Sequence, residues 1–300
     1  MNYLGQITEI FVSIDDFYLE FKDEIKKNQL MTANNKRNRS FTMSQSEIMT
    51  IMVLFHMSAY RNIKHFYIFY VKDHLKREFP NTVSYNRFVE LMQSAIFPLA
   101  IYLKTRQMGN CTGISFIDST PLRVCHNRRI HSHKVFSDVA ERGKCSMGWF
   151  FGFKLHLIVN DKGDILNFVI TQANVDDRAP LVAGKMLKNI WGKLFGDKGY
   201  LSQKLFDTLF VSGIHLITKI RNNMKNTLMN VQDKILLRKR ALIETINDEL
   251  KNICQIEHSR HRSFINFLTN LLAGLIAYTF LPKKPAIKCE FEFSNQLTIF

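Results

Sequence analysis

The first 110 residues place apolar side chains at helical spacing and separate them with polar turns. Helical spacing runs from Tyr3 to Phe21 and again from Ile63 to Glu78. Between these segments, Ser44 and Glu47 form the Ser-x-x-Glu pattern of a capping box, which opens another helix. The pattern predicts an all-helical N-terminal domain over residues 1–110.

Two interpretations of this helical region stay open. Short helices joined by tight polar turns in a basic region are typical of a helix-turn-helix module that binds DNA. Many helical domains that only dimerise or pack show the same pattern, so a dimerisation or packing domain is the alternative. The aromatic residues between Phe66 and Tyr70 are predicted to be core residues rather than a stacking platform.

The spacing of apolar residues changes after residue 110. A short apolar run from Ile114 to Asp118 predicts a strand, and alternating apolar residues from Trp149 to Val159 predict a second. The segment Asn160–Asp164 is predicted to be a hairpin turn, and Ile165–Thr171 the return strand. Helices and strands then alternate, with helices predicted at 177–190, 203–211 and 234–253 and strands at 194–197 and 214–220.

This order of elements predicts an α/β domain over residues 111–281, with a mixed five-stranded sheet and flanking helices. Two parallel strands added through helices place the ends of the first and fourth strands side by side. These ends carry Asp118 and Asp197. Carboxylates are poor structural choices there, because β-propensity is low for Asp and burial of its charge is costly. Their convergence indicates a site for a divalent cation.

Glu244 is the third candidate acid, and it lies in a helical segment. A polar row runs beside the apolar stripe of this helix and contains Arg240, Glu244, Asp248 and Lys251. A surface i,i+4 pair between Arg240 and Glu244 is the simple structural explanation, and in isolation it would be preferred. The two aspartates upstream favour instead a metal ligand, Glu244, flanked by phosphate-binding cations. Asp248 and Glu249 are its rivals, and Glu249 points away by about 140°.

These residues together resemble the DDE transposases of bacterial insertion sequences. The resemblance rests on Asp118 in Ile-Asp-Ser-Thr, Asp197 in Gly-Asp-Lys-Gly-Tyr, and Arg240-x3-Glu244-x6-Lys251. Related groups have Tyr-x2-Arg-x3-Glu-x6-Lys, and Leu237 stands at the Tyr position in this chain. The stretch from Cys125 through Lys154 is similar to the insertion sequence 982 family in particular.

The resemblance implies a ribonuclease H-like catalytic domain in which Asp118, Asp197 and Glu244 are catalytic and bind metal. It implies a pair of Mg²⁺ ions, for which Mn²⁺ can substitute, in a phosphoryl-transfer reaction. The implied activity is nicking of transposon ends, followed by attack of the freed 3′-hydroxyl on target DNA. The implied partners are double-stranded DNA, as terminal inverted repeats and target, and further copies of the chain in a homodimer or larger synaptic assembly.

The charge of the chain also favours DNA as the partner. The formal net charge is +15 and the pI is about 9.6, which is typical of a protein that binds a polyanion. The predicted DNA contacts are Arg123, Arg128, Arg129, Lys134, Lys154, Lys198, Arg240 and Lys251. The basic connection that follows Asp118 is predicted to lie at the mouth of the site. For Lys154 and His156, which share a hairpin face, DNA contact and simple exposure to solvent are equally open.

The five cysteines predict a reducing environment rather than a disulfide framework. Their number is odd and they form no Cys-x-x-Cys pattern. A zinc site is a weaker alternative, because its candidate residues match no common ligand spacing. These candidates are Cys125, His126, His131, His133 and Cys145.

The apolar segment from Phe264 to Leu281 raises the question of a membrane span. Asn266, Thr269 and Asn270 interrupt it, so a helix buried against the sheet is the better interpretation. Acidic residues such as Glu9 fall where a signal peptide would be apolar. These features predict a cytoplasmic protein that associates with the nucleoid through DNA binding.

Two alternatives to an insertion-sequence transposase stay open. One is a ribonuclease H-like nuclease in DNA repair or recombination, and the other is a catalytically inactive DNA-binding protein derived from a transposase. The presence of all three acids together with Arg240 and Lys251 disfavours the inactive protein. Residues 282–300 fit no predicted element and are interpreted as a C-terminal tail.

Overall fold

The computed structural model describes residues 3–29, 42–219, 228–257, 261–287 and 297–299. The chain forms two compact units, each built from two stretches of sequence. The helical unit comprises Met1–Gln107 and Leu250–Leu281, and the sheet unit comprises Met108–Glu249 and Pro282–Phe300.

These units divide the chain differently from the predicted domains. The first boundary lies close to residue 110, but residues 250–281 group with the helical unit. Residues from 282 onward group with the sheet unit, where Lys284 pairs with Asp164 of the hairpin turn at 2.9 Å. Residues 288–296 and 300 of the predicted tail lie outside the described residues.

The elements follow one another in the chain as helices, then mainly strands, then helices. The helices are α1 (Tyr3–Gln29), α2 (Gln45–Met57), α3 (Ile63–His65), α4 (Tyr85–Met92), α5 (Ile96–Tyr102), α6 (Ala179–Val182), α7 (Gln203–Val211), α8 (Val231–Lys239), α9 (Ala241–Asn252) and α10 (Phe264–Thr279). The strands are β1 (Ile114–Cys125), β2 (Glu141–Cys145), β3 (Gly148–Asn160), β4 (Ile165–Gln172), β5 (Gly192–Gly196), β6 (Ile214–Thr218), β7 (Leu228–Asn230) and β8 (Leu297–Ile299). A π-helical turn, Phe66–Val71, extends α3.

The helical unit is built around two helices that are buried on nearly all sides. The predicted capping box opens α2: Ser44 Oγ accepts from the Glu47 backbone N–H, and the Glu47 carboxylate accepts from the Ser44 backbone N–H. The second buried helix, α10, packs against α2 and α5. The prediction that it lies against the sheet is wrong, because residues 250–281 group with the helical unit, where other helices bury this apolar helix. Among the described residues, no helix has both the length and the apolar character needed to span a membrane.

The main sheet of the other unit has the strand order β2-β3-β1-β5-β6, with β4 also paired to β3. The pairs β1–β5 and β5–β6 are parallel, and β1–β3, β2–β3 and β3–β4 are antiparallel. All five predicted strands are present in this mixed arrangement, and Gly163 in the predicted hairpin turn has a φ of 81°. The sequence pattern did not reveal β2, which lies within the basic connection.

Three predicted elements have different bounds in the structure. Strand β1 continues past Asp118 to Cys125, because β3 pairs with it along this whole length. The helix predicted at 177–190 is shortened to α6, and Gly184 turns the backbone to a φ of 68° soon after it. The helix predicted at 234–253 is divided into α8 and α9 at Arg240.

The two faces of the sheet are covered differently. On one face, an apolar cluster joins the sheet to α6 and α7 and includes Ile117, Leu181, Leu194, Leu205, Leu209 and Ile214. On the other face, α8 packs on β5 and β6, and Lys193 of β5 pairs with Asp233 of α8 at 2.6 Å. Phe116 and Phe195 belong to this second face, because they alternate with Ile117 and Leu194 along their strands.

Candidate active site

The parallel ladder between β1 and β5 aligns the two candidate aspartates. Its last pair is Phe116 with Phe195, whose rings stack with centroids 5.4 Å apart. Asp118 and Asp197 each follow that pair by two residues, and a two-residue step returns a side chain to the same face of a sheet. The register thus directs both aspartates to the face covered by α8. Asp197 follows the end of β5 as predicted, whereas Asp118 lies in the middle of β1, opposite Leu157 of β3.

Arg240 lies at the turn between α8 and α9 and contacts two of the candidate acids, Glu244 and Asp118. Its Nη2 donates to Glu244 Oε1 at 2.5 Å, and its Nη1 lies 3.9 Å from Asp118 Oδ1. A surface i,i+4 pair explains only the first of these contacts. The second contact means that Glu244 and Asp118 share one guanidinium group, so the two acids lie near each other.

The pKa of Asp118 is influenced by both of the other candidate acids. It is raised from 3.8 to about 6, and burial is the largest cause. Arg240 and the Ser119 backbone N–H oppose this rise, while the negative charges of Glu244 and Asp197 add to it. Since both other acids act on Asp118, the three carboxylates share one electrostatic neighbourhood.

The residues of this neighbourhood fit a divalent cation in their chemistry. Three carboxylates supply the hard oxygen ligands that Mg²⁺ prefers, and a cation would relieve their mutual repulsion. Arg240 already supplies one positive charge between two of them. Among the described residues, however, no group of three or more His, Cys, Asp or Glu side chains is arranged to hold a metal ion, and this includes the zinc candidates. The three carboxylates would therefore have to move closer together to bind the ion.

Asn247 and Tyr200 also belong to this neighbourhood, and the sequence analysis gave them no role. Asn247 Nδ2 donates to Asp118 Oδ2 at 3.1 Å. Asn247 lies about 60° around α9 from Glu244, between the polar row and the apolar stripe. Its position almost one turn after Glu244 was the sequence feature that could have identified it. Burial raises the pKa of Tyr200 well above its usual value, and the charge of Asp118 adds to this effect. The hydroxyl of Tyr200 therefore stays protonated near Asp118. Its place at the end of the motif Gly-Asp-Lys-Gly-Tyr was the sequence feature that could have identified it.

The predicted DNA contacts fall into two groups. Five of them are exposed: Arg123, Arg128, Arg129, Lys134 and Lys198. Lys154 has a side chain only 12% exposed, and its Nζ donates to the Val175 carbonyl at 2.8 Å and pairs with Asp177 at 2.9 Å. Lys251, near the end of α9, pairs with Glu257 at 3.3 Å. Lys154 and Lys251 are therefore already engaged with protein groups, as is Arg240.

The surroundings of the site differ from the predictions in two ways. The basic connection starts later than predicted, because β1 carries the chain a further seven residues beyond Asp118, or roughly 23 Å, to Cys125, and its position at the mouth of the site stays a prediction. His156 is fully buried, and its Nε2 lies 2.8 Å from Thr171 Oγ1, so it contacts neither DNA nor solvent. Leu237, at the position of the Tyr in the related motif, is buried in α8.

Comparison with known proteins places this site in a family. A family model described as a transposase DDE domain matches residues 108–264, slightly more than half of the chain, and the match includes Asp118, Asp197 and Glu244. No curated protein sequence matches the chain. One similar solved structure is a cryo-EM piggyBac transposase synaptic complex with hairpin DNA, at a TM-score of 0.45 and 11% identity, covering 90% of this chain and 70% of that one. The insertion sequence 982 family stays a prediction, but the broader assignment is established: the chain belongs to the transposase DDE domain family.

Proposed function

We propose that this chain is an insertion-sequence transposase in which Asp118, Asp197 and Glu244 bind the metal ions for DNA cleavage and strand transfer. Membership of the family supports a transposase function in general. Two observations support the residue assignment: the β1–β5 register aligns Asp197 with Asp118, and Arg240 contacts both Glu244 and Asp118.

Each residue around the acids has a distinct task in this proposal. Divalent ions, Mg²⁺ or Mn²⁺, when bound, would supply activation of an attacking oxygen and stabilisation of a leaving one. Asn247 holds Oδ2 of Asp118, which fixes the plane of that carboxylate. Arg240 orients Glu244 by a hydrogen bond and offsets part of the negative charge before an ion arrives. Tyr200 is buried in the apolar cluster of the sheet, and its hydroxyl, whose pKa is raised by burial, stays protonated near Asp118.

DNA binding in this proposal depends on the exposed cations of the sheet unit. Arg128 and Arg129 lie on a short 3-10 helix, Asn127–Ser132, and Lys198 directly follows Asp197. Exposed guanidinium and ammonium groups neutralise phosphates and release counterions, so binding should weaken steeply with salt. We assign Lys154 a structural role instead, because Asp177 already pairs with it. A homodimer or larger assembly would bring two transposon ends together.

Asp197→Asn is the variant that separates binding from chemistry. It keeps the side-chain shape but removes a charge that holds a divalent cation. The fold should survive, because removing one of three clustered negative charges relieves repulsion. Nicking of an end-labelled duplex in Mg²⁺ should fall by orders of magnitude, while DNA binding measured in Ca²⁺ should persist.

Two outcomes of this experiment would count against the proposal. A variant that cuts at a rate near that of the wild type would show that Asp197 binds no catalytic metal. A variant that loses nicking but still joins pre-nicked ends would show that one site does not perform both steps.

A wild-type chain that cuts DNA but never joins ends to target DNA would favour the nuclease of repair or recombination over a transposase.

A further inference from the structure

The helical unit contains a polar cavity that the proposed chemistry does not use. Its volume is about 790 Å³, within the usual range for a site that holds a small organic group. Three exposed cations line it, Arg61, Lys64 and Arg262. Among the described residues that form its wall, none is an acid. The rim of the cavity therefore favours an anionic group.

The buried part of the same wall carries polar atoms without partners. Asn266 and Asn270 line the cavity and are at least nine-tenths buried. Within the described part of the chain, Asn266 Oδ1, Asn270 Nδ2 and His261 Nε2 have no hydrogen-bond partner. Burying a polar group without a partner costs about 1–3 kcal/mol, so three such atoms on residues that line one cavity point to a ligand that reaches into its wall.

His56 explains why Asn270 keeps one unpartnered atom in either orientation of its amide. His56 Nδ1 lies 2.5 Å from the Cys254 carbonyl, which can only accept, and Nε2 lies 3.1 Å from Oδ1 of Asn270. Only a doubly protonated ring would donate to both oxygens, yet burial lowers the pKa of His56 to about 4. A rotated amide would donate from Nδ2 to the neutral ring and leave its oxygen unpartnered instead.

We propose that this cavity binds one unpaired nucleotide of a DNA strand, an inference that rests on the proposed function for its choice of DNA. A phosphodiester satisfies the cationic rim but offers no donor to Asn266 Oδ1. The hydrogen-bonding edge of a base offers both donors and acceptors, so it can complete Asn266 Oδ1 and whichever atom of the Asn270 amide is left unpartnered. A paired base still presents donors and acceptors in the grooves, but it is held in the stack and cannot enter a cavity, so the nucleotide must be unpaired. Tyr85, which also lines the cavity, provides an aromatic ring on which a base can stack.

The test compares two duplexes of the same sequence, one fully paired and one with a single unpaired nucleotide in the middle. Fluorescence anisotropy with the full chain should show about tenfold tighter binding of the duplex with the unpaired nucleotide, since one stacked and hydrogen-bonded base contributes about 1.4 kcal/mol or more. A mononucleotide should abolish this preference at a concentration at which inorganic phosphate does not. Equal competition by inorganic phosphate would mean a simple anion site and would overturn the proposal.

Three variants locate the effect in the cavity. Asn266→Ala removes an unpartnered oxygen and Val89→Trp fills the space, and both should abolish the preference while leaving binding of the paired duplex within about twofold. Arg262→Ala should weaken binding of the duplex with the unpaired nucleotide several-fold more than Arg87→Ala does. Arg87 is the matched control, because it lies on α4 outside the cavity wall and pairs with Glu90.

Failure of this proposal is distinguishable from failure of the proposed function. If the wild type binds both duplexes equally, or if the cavity variants keep the preference, the cavity does not hold a nucleotide and the transposase proposal is untouched. If neither duplex binds, DNA is not the partner and both proposals fall.

Discussion

The candidate site of the sheet unit and the cavity of the helical unit present different polar groups, acids in the first and neutral amides in the second. In the helical unit, several neutral polar residues are almost completely buried: Ser46, Thr50, His56, Thr269 and Asn270. In the sheet unit, the candidate acids reach solvent, with side-chain exposure of 23% for Asp118 and 56% for Glu244. Asp197 is exposed as well.

The difference shows that two kinds of unfavourable arrangement identify two kinds of site. Carboxylates that are gathered together repel one another, and this cost has no structural benefit, so it indicates a cation ligand. Neutral polar atoms that are buried lose water, and those that stay unpartnered indicate a ligand with matching hydrogen bonds. The candidate site of the sheet unit has the first arrangement, and the cavity of the helical unit has the second.

Removal of Arg240 should have the largest effect on the sheet unit. Arg240→Ala leaves Glu244 without the hydrogen bond that orients it and Asp118 without its neighbouring cation. We expect DNA cleavage to slow by about 100-fold, the scale seen when one stabilising hydrogen-bond donor is lost from a catalytic site. Arg240→Lys should recover only part of the rate, because an ammonium group cannot address two carboxylates as a guanidinium does.

Single-turnover cleavage of an end-labelled duplex measures this effect, with thermal unfolding as the control for folding. Cleavage by Arg240→Ala within about twofold of the wild type would mean that the charge balance of the sheet unit is not part of its function. The contrast between the two units would then lose its functional meaning.

Acid should destabilise the helical unit through its buried neutral histidine. Burial lowers the pKa of His56 to about 4, against 6.5 when unfolded, and hydrogen bonds to Cys254 and Asn270 only partly oppose this. Between these values the unfolded state binds the extra proton, so the free energy of unfolding falls as the pH falls. The expected loss between pH 7.5 and pH 5 is about 2 kcal/mol from this residue.

Denaturant unfolding of the wild type and of His56→Gln at both pH values measures this loss. The variant should be less stable at pH 7.5 but should lose less stability on acidification. His156→Gln gives the corresponding test in the sheet unit, because burial also lowers the pKa of His156 to about 4. Identical pH dependence in the wild type and His56→Gln would contradict a buried, neutral His56.

The smallest expected effect compares exposed and engaged cations within the sheet unit. Replacing Arg128 and Arg129 with Ala should lower the slope of log affinity against log salt by about 1–2, because each lost phosphate contact retains one counterion. Lys154→Met should leave the slope unchanged, since Asp177 and the Val175 carbonyl already hold its ammonium group. An unchanged slope for the arginine variant would show that the 3-10 helix does not contact phosphate.

Local sequence signals predicted those parts of the fold that depend on a few adjacent residues. The capping box at Ser44 and the hairpin turn at Gly163 are of this kind, since their geometry follows from residue type. The alignment of Asp118 with Asp197 was also predictable, because the order of strands and helices limits which strand ends meet.

Long-range packing determined the rest. The extension of β1 to Cys125 depends on pairing with β3, which spacing along β1 alone does not reveal. The position of α10 among helices rather than on the sheet depends on two stretches of sequence separated by the entire sheet. The cavity combines residues 61–92 with residues 261–270, so no local pattern announced it. Asn247 could not be predicted from the charges of the polar row, because its amide carries none.

The most direct test of the central claim compares neighbouring acids on α9. Glu244 contacts Arg240, which in turn faces Asp118, whereas Asp248 lies one turn further along and is exposed. Single-turnover cleavage of an end-labelled transposon end in Mg²⁺ should fall by about 100-fold or more for Glu244→Gln and stay within about twofold of the wild type for Asp248→Asn. The reverse order, or rates near the wild type for both variants, would contradict the assignment of Asp118, Asp197 and Glu244 as the acids that cut DNA.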